Sequence, residues 1–287
     1  MSKEYIELQI DGDPTLFDEL TALLIQIGFE GFWEEADSLK CYANSDRWND
    51  GVRQNVEQLV GRVAQAHGAL LPKIQTNRLV DKNWNEEWEK TIRPIRVTDR
   101  IVIAPTWETY QPAAGEIVLT IDPKMSFGTG YHETTRLTLT LLEKHCTTGM
   151  TVLDIGTGTG VLAIAATKLG AQSVIGIDND EWAFSNALEN VALNGVDAQV
   201  RILSGDLSVV PNQHFDMIVA NIQRNVLLEM LSGIQKHLTI AGFLILSGLL
   251  YQDKDPMLQA THKHSLEVIE ELREGDWIAL ACRNVAR

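Results

Sequence analysis

Val152-Leu-Asp154-Ile-Gly156-Thr-Gly158-Thr-Gly160-Val-Leu-Ala-Ile-Ala-Ala166 is the stretch on which the fold turns. Its apolar start predicts a buried strand, its glycines a tight turn, and the run from Val161 a helix. A glycine-rich turn between strand and helix sits at a strand's carboxyl end, where open α/β sheets bind ligands and where glycine lets the backbone come close to them. Moving outward, strands at 151–155, 173–178, 199–203, 215–221 and 243–247 alternate with helices that begin at Val161, Glu181 and Asn225. That rhythm predicts a doubly wound, mostly parallel sheet. Segments 265–271 and 277–283 flank the short turn Arg-Glu-Gly-Asp, which predicts a hairpin and an antiparallel edge.

Upstream the pattern changes. Strands at 4–10, 29–34 and 38–43, an extended run at 70–80, and helices at 14–27 and 51–67 give the order βαββαβ, which predicts a small ferredoxin-like α+β domain over 1–80. Its apolar positions follow strand and helix periods, as in a packed sandwich without an active site; the added domain is otherwise a device for docking a partner. Residues 81–94 read as a linker helix with Trp84 and Trp88 on one face. Residues 95–287 then form the second domain, which opens on short strands at 95–97, 101–104 and 116–121.

The 287 residues are 45% hydrophobic, so the chain can bury ordinary cores, and 39 acidic against 24 basic side chains leave a formal charge of -15. Such acidity argues against a protein that grips bare phosphate backbone and favours a basic partner. Cys41, Cys146 and Cys282 lie far apart, in no metal-like spacing and no disulfide framework. The amino-terminal residues lack the apolar core of a signal peptide, and the longest apolar run, 238–250, is shorter than a membrane span. A cytoplasmic, soluble monomer is expected.

A dinucleotide fingerprint requires Gly-x-Gly-x-x-Gly or Ala, and the sixth position here is Val161. The Gly-x-Gly-x-Gly spacing, with Asp154 ahead of it, instead resembles the first motif of class I S-adenosylmethionine-dependent methyltransferases. Gly156 and Gly158 belong to that loop. Asp178, at the end of the next strand, is placed to accept ribose hydroxyl protons. Asp206, in Ser-Gly-Asp-Leu, falls where such folds often hold the adenine amino group, and is otherwise a turn aspartate. Asn221 ends the fourth strand in Ala-Asn-Ile-Gln; amino-methylating enzymes often have Asn-Pro-Pro-Tyr there, and this chain keeps the asparagine without the prolines or the aromatic. The missing aromatic counts against a nucleic-acid base as acceptor. Asp122-Pro-Lys-Met-Ser-Phe127-Gly128-Thr129-Gly130-Tyr131-His132-Glu133-Thr134-Thr135 precedes the loop and reads as a wall over it, with His132 structural.

Together, Phe-Gly-Thr-Gly-x-His-x-Thr-Thr, the glycine loop, Gly-Ile-Asp and Ala-Asn-Ile resemble the bacterial family that methylates ribosomal protein eleven of the large subunit, PrmA. The resemblance implies a class I methyltransferase, Rossmann-like sheet after a small amino-terminal domain, with S-adenosylmethionine as co-substrate. It implies donor binding by Thr135, Gly156, Asp178 and Asn221, and transfer to lysine side chains and an N-terminal amine of that protein. Asn221 would orient the acceptor by taking its hydrogens. The sequence departs from the family at Thr157, Tyr131, Glu133 and Gln223-Arg224, and the last pair touches the acceptor side. A methyltransferase of the same fold acting on another protein, a small molecule or a nucleic acid is the alternative.

Overall fold

A computed structural model describes residues 4–80, 92–124 and 126–286. Its contacts divide the chain into two units, Met1–Lys90 and Thr91–Arg287. The expected linker helix over 81–94 lies almost wholly outside the described residues; 92–94 have no regular structure.

In the first unit, β1 (Glu4–Asp11), α1 (Phe17–Gln26), β2 (Gly31–Glu34), β3 (Ser38–Asn44), α2 (Asp50–Ala66) and β4 (Lys73–Val80) form an antiparallel sheet of order β2-β3-β1-β4 with two helices. This is the ferredoxin-like arrangement. Alternation along β1 buries Ile6, Leu8 and Ile10, while helical spacing buries Val56, Leu59, Val60 and Val63 of α2 in one core with Leu8 and Ile10. The first helix starts later than its periodicity suggests. Pro14–Leu16 makes a 3-10 turn, begun by the Asp13 side chain accepting from the Thr15 amide at 3.0 Å.

The second unit opens with a small sheet, β5 (Ile95–Arg96), β6 (Ile101–Ala104) and β7 (Ile117–Thr120), in which β6 and β7 are parallel. Then follow α3 (Glu133–His145), β8 (Thr151–Ile155), α4 (Val161–Lys168), β9 (Ser173–Asp178), α5 (Glu181–Leu193), β10 (Val200–Ser204), β11 (Phe215–Asn221), α6 (Arg224–His237), β12 (Leu238–Leu250), α7 (Lys254–Lys263), β13 (Leu266–Glu274) and β14 (Trp277–Asn284). The main sheet has order β10-β9-β8-β11-β12-β14-β13. Strands β8 to β12 are mutually parallel where they pair, and β14 runs antiparallel to both of its neighbours. The hairpin therefore returns into the sheet: β14 lies inside and β13 forms the edge, a detail that adjacency in sequence does not give.

The sheet's two faces carry separate cores. Val152 packs with α3, α4 and α5, whereas Leu153 and Ile155 pack with Leu227, Leu231 and Ile234 of α6 and Met257 of α7. Val161 to Ala166 are all buried, so α4 is apolar all round instead of amphipathic. Strand order reverses between β8 and β11, and the carboxyl ends there form the crevice expected of an open α/β sheet.

Candidate active site

Gly156 leaves β8 with φ +72°, and a Cβ there would lie 2.4 Å from Cγ2 of Ile222. Gly158 has φ +55°, and its Cβ would lie 2.4 Å from the carbonyl oxygen of Phe127. These are backbone conformations and approaches that only glycine accommodates. The Gly158 amide donates to Asp178 Oδ2 at 2.9 Å, and the Asp180 amide donates to Asp178 Oδ1 at 3.1 Å. One carboxylate at the end of β9 thus fixes the glycine loop and the entry to α5. Asp180 caps that helix by accepting from the amides of Trp182 and Ala183.

The Phe-Gly-Thr-Gly segment forms a wall over this loop, as its position in the sequence suggests. The Thr159 amide donates to the Phe127 carbonyl and the Thr159 hydroxyl to the Gly128 carbonyl, each at 2.9 Å. Asparagines of α5 hold the approach to it. Asn186 Nδ2 donates to the Asp122 carbonyl at 2.8 Å, Asn190 accepts from the Asp122 amide and donates to the Thr159 carbonyl, and Asn194 pairs with both main-chain groups of Thr120. The spacing of four between these asparagines was the available signal, but polar residues on a helix read as solvent-facing.

A cavity of about 580 Å³ lies over the strand ends. Gly156, Gly158, Asp178 and Asn221 line it, together with Phe127, His132, Thr134, Trp182, Gly248 and Trp277. Among the residues expected to bind a donor, these four therefore share one space. Thr135 is fully buried beside the cavity lining, in the first turn of α3, and its Oγ1 has no hydrogen-bond partner among the described residues. The Asn221 Oδ1 is also buried without such a partner. Asp206 stands apart: it is exposed, is absent from the lining, and caps the turn 207–209 by accepting from the Ser208 amide at 2.8 Å. Bonds to Ser208 hold its carboxyl below the ordinary value. His132 caps α3, its Nδ1 accepting from the Thr134 amide at 3.3 Å, while its ring faces Phe127 and Trp277.

Beneath the loop, Asp154 is completely buried. Thr157 Oγ1 donates to its Oδ2 at 2.6 Å, but its Oδ1 has no partner among the described residues. Burial, opposed by the Thr157 bond and reinforced by the charge of Asp178, pushes its carboxyl up to about 7. Thr157 is thus the side-chain hydrogen-bond donor to this buried acid.

Along its length, residues 5–285 match the family described as Ribosomal protein L11 methyltransferase (PrmA). The chain belongs to this family. The Ribosomal protein L11 methyltransferase of Chlorobaculum tepidum is 37% identical over 279 residues, covering 96% of this chain and 95% of that protein. That of Ruminiclostridium cellulolyticum is 44% identical over 208 residues, 71% of this chain and 65% of the relative. The crystal structure of the ribosomal protein L11 methylase from Lactobacillus delbrueckii subsp. bulgaricus superposes with a TM-score of 0.64 at 35% identity, covering 68% of this chain and 100% of that one. This PrmA-family chain is an S-adenosylmethionine-dependent methyltransferase of class I.

Proposed function

We propose that this enzyme transfers methyl groups from S-adenosylmethionine to lysine side-chain and N-terminal amines of ribosomal protein L11. The supporting observation is one cavity lined both by the Asp178-anchored glycine loop and by Asn221, whose buried side-chain oxygen has no hydrogen-bond partner among the described residues. The residues present fit the donor. Asp178 keeps acceptor capacity beyond its two amide bonds, for ribose hydroxyls; Gly156 and Gly158 leave room where any Cβ would collide; and the Thr135 hydroxyl and Asn221 side-chain oxygen are buried polar atoms without a partner among the described residues.

When bound, S-adenosylmethionine supplies a methyl carbon activated by the adjoining sulfonium. The chain's own task is to bring up a neutral amine in line with it. An exposed lysine of pKa ~10.4 costs about 4.6 kcal/mol to deprotonate at pH 7, and the loss of water around it on entering the cavity offsets part of this. Asn221 orients the amine by accepting an N–H, which aims the nitrogen lone pair elsewhere, toward the methyl group. The net charge of -15 draws a basic protein acceptor toward the enzyme.

Intact-mass analysis tests the proposal. L11 from cells lacking the enzyme, incubated with it and S-adenosylmethionine, is expected to gain mass in methyl steps. No gain on L11, with donor binding intact by calorimetry, would leave the fold and refute the acceptor.

A further inference from the structure

Three aromatic rings follow one another along the cavity that also holds Asn221. The Phe127 and His132 centroids are 5.2 Å apart with planes at 59°, and those of His132 and Trp277 are 4.8 Å apart at 67°. Steep angles set the rings tilted and edge to face, not in a flat stack. Each ring sits on a segment that hydrogen bonds hold in place. Phe127 is fixed where its carbonyl accepts from the Thr159 amide, and His132 where its ring caps α3. Trp277 begins β14 just beyond a turn, and Glu274, the last residue of β13, accepts from the Arg136 Nε at 3.1 and 3.2 Å; Arg136 also bonds the Tyr131 carbonyl, next to His132. The arginine thus ties the hairpin bearing one ring to the loop bearing another. Phe127 nevertheless remains 52% exposed, a large apolar side chain left open at the cavity.

The acceptor's chemistry explains why both kinds of group would be needed. In each transfer the amine lone pair forms the new N–C bond as the C–S bond breaks; sulfur keeps that electron pair and leaves as a thioether. The resulting ammonium gives a proton to solvent before it can react again. A primary amine has two N–H bonds to offer the Asn221 carbonyl, a monomethylated amine one, and a neutral dimethylated amine none. Orientation by hydrogen bonding therefore fails as methylation proceeds. Aromatic faces need no N–H: they pack against the N-methyl groups of the neutral amine and attract the positive charge that develops on nitrogen as the N–C bond forms.

We infer that Phe127, His132 and Trp277 seat the partly methylated acceptor and so set how many methyl groups each amine receives. This inference rests on the amine-methylating function proposed above. The test follows successive methyl additions to L11 by intact-mass time courses with wild type, Phe127→Leu, Trp277→Leu and Trp277→Phe, and calorimetry on each variant reports whether the donor loop persists. Wild type is expected to add more than one methyl per amine. In the leucine variants the ratio of later to first transfer rates falls about 3- to 30-fold, leaving lower methyl states, and Trp277→Phe restores most of the ratio. First and later transfers slowed equally, an unchanged product distribution, or a wild type that stops at one methyl would each overturn the seat. A wild type that transfers nothing to L11 would instead refute the proposed acceptor, and the seat with it.

Discussion

Replacing Asp154 by Asn should change how stability depends on pH. The carboxyl is 0% exposed, half of it lacks a hydrogen bond among the described residues, and its pKa rises from 3.8 to about 7. The folded state therefore holds the proton more tightly than the unfolded chain. Its contribution is fully present below about pH 4 and is lost as pH rises through about 7. A gap of about three units at about 1.36 kcal/mol each is worth about 4 kcal/mol, of which about 3 kcal/mol falls between about pH 4.5 and about pH 8. Urea denaturation of wild type and Asp154→Asn across that window measures it, because other titrating groups cancel in the difference. The amide still accepts from Thr157 but has unpaired hydrogens of its own, so the slope is diagnostic and the absolute offset is not. Wild type is expected to lose stability relative to the variant as pH rises. A difference independent of pH would show that Asp154 is ionised in the fold throughout, refuting the reasoning.

Gly156→Ala places a methyl 2.4 Å from Ile222 at φ +72°, and should weaken donor binding about 10-fold or more by calorimetry; adding Ile222→Ala relieves the contact but not the backbone strain, so recovery should be partial. Full affinity in the single variant would show that the loop yields freely. Asn221→Ala should lower kcat about 10- to 100-fold with a smaller effect on donor affinity, and unchanged turnover would remove Asn221 from the orienting role. Asp206→Ala, which removes a turn cap outside the cavity, should alter donor Kd less than about 2-fold while lowering the thermal midpoint slightly. A large rise in Kd would bring that aspartate back to the adenine.

The sheet was legible because its strands are short apolar runs that end in chemistry: Gly156 directly follows one strand and Asp178 and Asn221 each close another, so periodicity and motif meet at the strand ends. The seating of β14 inside β13 was not legible, since a hairpin reads the same whichever strand pairs with β12. Nor was the place of Trp277 at the site. It comes from the terminal hairpin, more than 50 residues beyond Asn221, and only the return of β14 to the sheet brings it to the cavity. Asp206 carries the same letters in a turn cap as in a ligand contact, which is why sequence left both readings open.

The asparagines of α5 have a wider consequence. Asn190 and Asn194 bond main-chain groups of residues 120 and 122, and Asn186 bonds the carbonyl of 122, so the helix recognises backbone and is indifferent to the side chains there. Substitutions at those positions leave this recognition in place. Insertion or deletion of a single residue within 186–194 is another matter, because it rotates everything beyond it by about 100° and swings an asparagine away from the segment it holds. This stretch should therefore keep its length through evolutionary drift while the segment it grips changes its letters freely.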